Sequence, residues 1–221
     1  MTDELIAYTD IKSPYAYLAL EPTLRMTRKA GVSVDWQPYT LDIPDYLGDA
    51  EVDAGGNIVR SERSPHQWRR VKYSYMDVRR YANLRGLTIR GHPKIRNTKL
   101  ASTAILWARD QGRAASFLAE TFPPFWRREI DIEDVGTVTH LLRSAGCEVN
   151  GFPEWARGEG AARHDDHRQA AEASGIFGVP WFVWQGEVFW GREALPLVAH
   201  RITGALPDWA ADLGLAPDDG L

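Results

Sequence analysis

The chain has a single cysteine, Cys147, in 221 residues. That excludes an intrachain disulfide framework and a metal site built on several cysteines. It has no apolar run of about 18 residues, so no membrane-spanning helix is expected. The opening Met1-Thr2-Asp3-Glu4 is acidic and lacks the apolar stretch of a secretory leader. A reduced, cytoplasmic protein is the expectation. No internal repeat and no clean linker divides the chain. RNP, zinc-finger and helix-turn-helix signatures are absent too, which leaves no support for a nucleic-acid partner.

What is present is enough apolar residue, 44% of the chain, for one substantial core or a core with a large insertion. The net charge of −4 is unevenly spread. Between Arg60 and Lys99 twelve Lys and Arg face only two acids, Glu62 and Asp77. That window carries +10, so the remainder carries −14. Solvated helix faces account for most such side chains, and a site for a small carboxylate fits as well.

Leu5 to Tyr8 reads as a short buried strand. Ser13-Pro14 then matches a helix start, Ser at the N-cap and Pro at the first helical position. The helix is expected to reach about Lys29 with Gly31 closing it, and Pro22 to kink or shorten it. Val32, Val34 and Trp36 alternate as a second strand, completing a βαβ opening. From Pro44 to Asn57 the acidic, Gly-rich text predicts a loop. Trp68, Val71, Tyr75 and Val78 recur at helical spacing. Asn97 to Gln111 predicts another helix, Asp131 to Asp134 the acidic first turn of a helix closed by Gly146, and Ala161 to Ser174 a polar helix. Trp181–Trp184 and Glu187–Trp190 flank a tight Gln185-Gly186 turn, and Gly191-Arg192-Glu193 leads into a last helix ending near Gly204. The prediction is an α/β fold with helices inserted between βαβ and ββα.

On its residues alone, "SPYAY" (13–17) is a helix cap. His164 and His167 share a helix face, but no third ligand is visible, so surface charge is the expectation there and no metal is assigned. Cys147 reads as structural.

"SPYAYLAL", "GIFGVPWFVWQGEVFWGREAL" and the helix carrying Tyr73, Asp77, Arg80, Ala82 and Gly86 together resemble 2-hydroxychromene-2-carboxylate isomerases. They are similar also to the kappa-class glutathione transferases, both of the DsbA-like thioredoxin branch. "PKIRNT" and "FWRREIDIED" fit the same family's helical insert. The resemblance spans roughly residues 4 to 204. It implies a thioredoxin-like domain from residues 1–41 and 175–205, a helical insertion from 42 to 174, and a tail from 206 to 221. It implies also a homodimer, glutathione as cofactor, and a cis peptide at Val179-Pro180. Ser13 falls where redox members carry the first cysteine of Cys-x-x-Cys, and Ala16 stands at the fourth position.

By the same resemblance, Ser13 is the catalytic residue and holds the glutathione sulfur, while Val179 and Pro180 face its cysteinyl backbone. Arg192 and Glu193 stand near the γ-glutamyl group, Glu193 in place of the family's usual aspartate. Lys72 (or Arg70) and Asn97 are expected near glutathione and substrate, with Asn57 a weaker candidate. The implied activity is glutathione-dependent isomerisation of a small aromatic carboxylate. A transferase or peroxidase, or a glutathione- or peptide-binding module without catalysis, are the alternatives. The divergent text from Asp42 to Ser64 leaves the substrate open.

Overall fold

β1, Glu4–Thr9, buries every second residue, Leu5, Ala7 and Thr9. This is the period of a strand with one face on a core. In the computed structural model, which describes residues 4–205, β1 lies parallel to β2, Ser33–Pro38. On its other side it runs antiparallel to β5, Trp181–Trp184, which pairs with β6, Glu187–Trp190. The order is β2-β1-β5-β6. The fold is the expected thioredoxin-like α/β arrangement. The expected tail, 206–221, lies outside the described residues.

Between β1 and β2 runs α1, Pro14–Ala30, closed by Gly31 in the left-handed conformation. α1 packs with α9, Leu195–Thr203, and α9 with β5. The opposite face, carrying Tyr8 and Asp35, meets α4 (Lys99–Asp110) through Arg109. It meets α8 (Glu159–Ala173) through His167 stacked on Tyr8. Gln185 and Gly186 both take positive φ, as a two-residue hairpin turn requires.

Pro22 does not break α1. A proline removes the N–H that would bind the carbonyl four residues earlier. That carbonyl, Leu18 O, instead accepts the Arg85 guanidinium at 2.6 Å. A residue 67 positions away thus supplies the donor the helix lacks.

Where a loop is predicted, the chain forms α2 (Ile43–Leu47) and a small hairpin of β3 (Ala50–Val52) and β4 (Ile58–Ser61). Asp53 closes the hairpin by accepting from Asn57 N and Nδ2, with Gly56 at positive φ. α3, Pro65–Leu84, follows behind a capping box of Ser64 and Gln67. α5 (Ala114–Trp126) buries Phe117, Leu118, Phe122, Phe125 and Trp126 despite two internal prolines. α6 is Val135–Ser144 and α7 Phe152–Arg157. The acids of 131–134 sit before α6, with Asp134 as its N-cap, rather than inside its first turn.

His164 corrects the surface reading of its helix. It is 2% exposed, with Nε2 2.9 Å from Thr40 Oγ1, which also bonds Ser102 Oγ at 2.8 Å. Among the described residues no group of His, Cys, Asp or Glu could hold a metal ion. Cys147 is buried, and burial raises its thiol pKa.

Candidate active site

The turn that ends β1 sets the site. Ser13 N–H donates to Asp10 O at 3.0 Å. Extended backbone angles (φ −90°, ψ 113°) then place Ser13 as the N-cap of α1, ahead of Pro14. Its hydroxyl oxygen accepts Ala16 N–H at 3.2 Å. Its one proton goes to Val179 O at 3.4 Å. That second bond is long for a hydroxyl donor, so redirecting the proton sacrifices little. Tyr15 N–H, in the same first turn, has no hydrogen bond among the described residues.

Val179-Pro180 is cis. Pro180 O accepts Gly191 N–H at 2.9 Å, tying this loop to the end of β6. Val179 N–H is unbonded among the described residues, and its carbonyl receives only the serine. A short strip of backbone therefore presents one donor and one lightly used acceptor beside the cap of α1. Phe177 stands edge-on to Trp181 and Trp190, with centroids 5.0 and 4.8 Å apart. Between Phe177 and Val179, Gly178 is needed because a Cβ there would lie 2.8 Å from Trp190 Nε1.

Beneath the turn, Asp10 is fully buried. Its carboxylate accepts Lys12 N at 3.2 Å and Leu41 N at 2.8 Å. Lys12 Nζ lies 3.7 Å from Asp10 Oδ2, and the lysine side chain is 9% exposed. Tyr46, from α2, has part of its ring in solvent. Crowding around its hydroxyl, then the fields of Asp10 and Tyr39, push its pKa up to about 12, against the opposing charge of Arg70.

α3 forms the other wall. Tyr15 donates to Asp77 at 3.1 Å. Burial first, then Asp77, raises the Tyr15 pKa to about 12, with Glu193 adding to the effect. The Arg192 guanidinium covers the Tyr81 ring at 3.5 Å, a cation–π contact. Its Nε is buried without a hydrogen bond among the described residues, 4.0 Å from Glu193 Oε1.

The structure thus brings Ser13, Val179 and Pro180 into contact, and sets Arg192 and Glu193 beside α3 at the same end of α1. Arg70 and Lys72 are both exposed; Arg70 shares the face of α3 that carries Ser74 and Asp77, and the helical rotation turns Lys72 away from it. Asn97 accepts Lys99 N at 2.9 Å and donates its own N–H to Glu133. It lines a groove of about 310 Å³ with Lys99, Glu133 and Arg157, and touches neither Ser13 nor Val179. Asn57 is spent on the β3–β4 turn. Much of the basic window is neutralised locally, Arg60 by Asp49, Arg96 by Asp131 and Lys99 by Asp165. Asp10 and Lys12 are not marked as site residues by the sequence. Their one local signal is the three-residue spacing of an acid before a capping serine.

A model of the DsbA-like thioredoxin domain matches residues 4–203. The chain belongs to the DsbA-like thioredoxin family. Within that family, a curated 2-hydroxychromene-2-carboxylate isomerase of Sphingobium xenophagum is 26% identical over 196 residues, 88% of this chain and 95% of that protein. One of Pseudomonas putida is 25% identical over 212 residues, 93% and 97% of the two chains. A solved 2-hydroxychromene-2-carboxylate isomerase superposes with a TM-score of 0.68 at 21% identity, covering 95% and 98%. The cytosolic disulfide reductase DsbM of Pseudomonas aeruginosa, solved with GSH, gives 0.58 at 20%, covering 96% and 97%. Members of this DsbA-like family that exchange disulfides need a Cys-x-x-Cys pair. This chain has a single cysteine, so dithiol chemistry within it is not available here.

Proposed function

We propose that the protein is a glutathione-dependent isomerase of the 2-hydroxychromene-2-carboxylate type, working as a homodimer on a small aromatic carboxylate. The observation that carries this reading is the hydroxyl of Ser13, buried at a helix cap and directed at the residue before the cis-proline. Glutathione suits the groups present. Val179 N–H and C=O can pair with an extended cysteinyl backbone, as one more strand pairs with an edge. The unbonded Tyr15 N–H, the helix dipole and the Ser13 proton favour an anion at the cap.

When bound, glutathione supplies a thiol that adds to an electron-poor carbon and leaves again, turning a double bond briefly into a rotatable one. Ser13 is not a base. Its part is to turn its proton from Val179 O to the sulfur while still capping Ala16 N–H. A free thiol with pKa near ~8.5 is mostly protonated at neutral pH, so this stabilisation raises the reactive fraction. The exposed charge of Glu193 suits the ammonium of a γ-glutamyl group, and the positive charges of α3 suit the substrate carboxylate.

The test is product analysis with 2-hydroxychromene-2-carboxylate and glutathione. Isomerisation that requires glutathione, returns it free, and falls roughly 10²-fold or more in Ser13→Ala supports the reading. Turnover without glutathione, or glutathione retained in the product, overturns it.

A further inference from the structure

α3 has a second, outward side. Arg69, Tyr73, Met76 and Arg80 stand four, three and four residues apart, which puts them on one face of the helix. That face is turned away from Val78 and Ala82, through which α3 meets the core. Tyr73 is 58% and Met76 44% exposed, and Arg80 donates to Met76 Sδ at 3.6 Å. Arg69, Lys72 and Arg80 have no acidic partner among the described residues. Over Pro65–Leu84 five Lys and Arg stand against Asp77 alone.

The β3–β4 hairpin has the opposite character. Two strands by themselves are marginal and need a layer to pack on. Yet all four residues of β4 are exposed, Ile58 at 56% and Val59 at 66%. Strand alternation puts Ile58 and Arg60 on one face, where Arg60 pairs across to Glu51 and is held by Asp49 and Glu62. Residues 42–59 hold five acids and no Lys or Arg. One chain cannot join these two surfaces. Trp68 Nε1 donates to Ser61 Oγ at 3.0 Å and Arg63 Nε to Gly48 O at 3.0 Å, which pins the hairpin to the first turn of α3. Met76 lies eight residues further on, about 12 Å along the axis. Two α3 faces do not suit each other either, because they carry the same charge.

We propose that a second copy of this chain lays the outer face of its hairpin, Glu51 and Ile58, against Tyr73, Met76 and Arg80 of α3, and receives the same contact in return. The inference rests on the reading of the protein as a homodimer. A two-fold contact of this kind is self-complementary, acid meeting base and apolar meeting apolar on both sides of the axis. Because α3 also carries Asp77 and Tyr81, the partner's hairpin braces one wall of the active site from outside.

The experiment is sedimentation equilibrium of the full chain over a range of concentrations. It compares wild type with Ile58→Asp, Met76→Asp, Glu51→Arg, Arg80→Glu and the double variant Glu51→Arg/Arg80→Glu. All four positions are exposed, so the variants are expected to fold, with circular dichroism as the check. Wild type is expected to be a dimer, and Ile58→Asp and Met76→Asp each to raise its dissociation constant about tenfold or more. Each charge reversal weakens the dimer, and the two together restore part of the loss, which no folding defect would do. If wild type is dimeric and every variant matches it, this contact is wrong and the homodimer reading stands. If Ile58→Asp dissociates the dimer while Met76→Asp and Arg80→Glu do not, the hairpins pair with each other and the inference fails. If wild type is monomeric at every concentration, the inference and the homodimer reading fall together.

Discussion

The helices α1 and α3 flank the same site and are built on opposite terms. α1, with 17 residues, buries seven of them, among them Tyr17, Leu18 and Leu20. α3, with 20 residues, buries only Val78 and Ala82. Tyr73 and Leu84 stand largely in solvent, and Met76 and Tyr81 are partly exposed. Apart from Val78 and Ala82, the contacts that seat α3 are polar: Tyr15 to Asp77, Arg192 on Tyr81, and Arg85, from its C-cap, to Leu18 O. A helix seated by a core has one position, set by packing that tolerates little displacement. A helix held by a few directional contacts opens at lower free energy. The site therefore has a fixed wall that carries Ser13 and an adjustable wall that carries Arg70, Asp77 and Tyr81.

The most direct way to break this contrast is to remove equal apolar bulk from each wall. Leu18→Ala, at a position 1% exposed, is expected to cost about 2–5 kcal/mol. Leu84→Ala, at a position 86% exposed, should stay within about 0.5 kcal/mol. Urea unfolding measures both, and equal losses would mean that α3 is seated as firmly as α1.

A smaller effect tests the polar seam. Arg85→Met leaves Leu18 O without its donor and should cost roughly 1–3 kcal/mol. Pro22→Ala restores a backbone N–H four residues after Leu18, so the double variant should recover part of that loss. Additive losses in a thermal double-mutant cycle would show that Arg85 acts elsewhere.

The smallest effect concerns pH. Tyr15 has a native pKa raised to about 12, above its ordinary value near 10, so the native state retains the phenolic proton longer than the unfolded chain. Stability from this group is complete below about pH 10 and declines as pH rises towards about 12. Tyr15→Phe should flatten that part of the stability profile, as should loss of the Asp77 carboxylate in Asp77→Asn. An unchanged slope in either variant removes Tyr15–Asp77 from the seam.

The fixed wall is also the part legible from sequence. Ser13-Pro14, Gly31 and the Gln185-Gly186 turn are local devices whose geometry depends on adjacent residues, so their text suffices. The Trp68–Val71–Tyr75–Val78 pattern gives the helix but misleads about its burial, since only one edge of α3 meets the core. α5 escapes notice because Pro123 and Pro124 interrupt a pattern whose aromatic residues are otherwise strongly apolar. His164 looks solvated because its partner Thr40 is 124 residues away. In the site, Ser13 and the Val179-Pro180 loop are readable from the family resemblance. The burial of Asp10 is not, because it comes from a tertiary environment that a three-residue spacing does not announce. The hairpin after α2 depends on Asp53 and Gly56, which in sequence signal a turn of any kind.

The contact between Gly178 and Trp190 restricts how this lineage can change. A Cβ at 178 would lie 2.8 Å from the indole of Trp190, so a side chain there requires the exposed ring at 190 to turn away or to be smaller. Relatives should therefore pair a bulky 190 with glycine at 178 and admit other residues at 178 only beside a reduced or displaced 190. The two positions form a covarying couple that stands one residue from Val179, in the loop that meets Ser13.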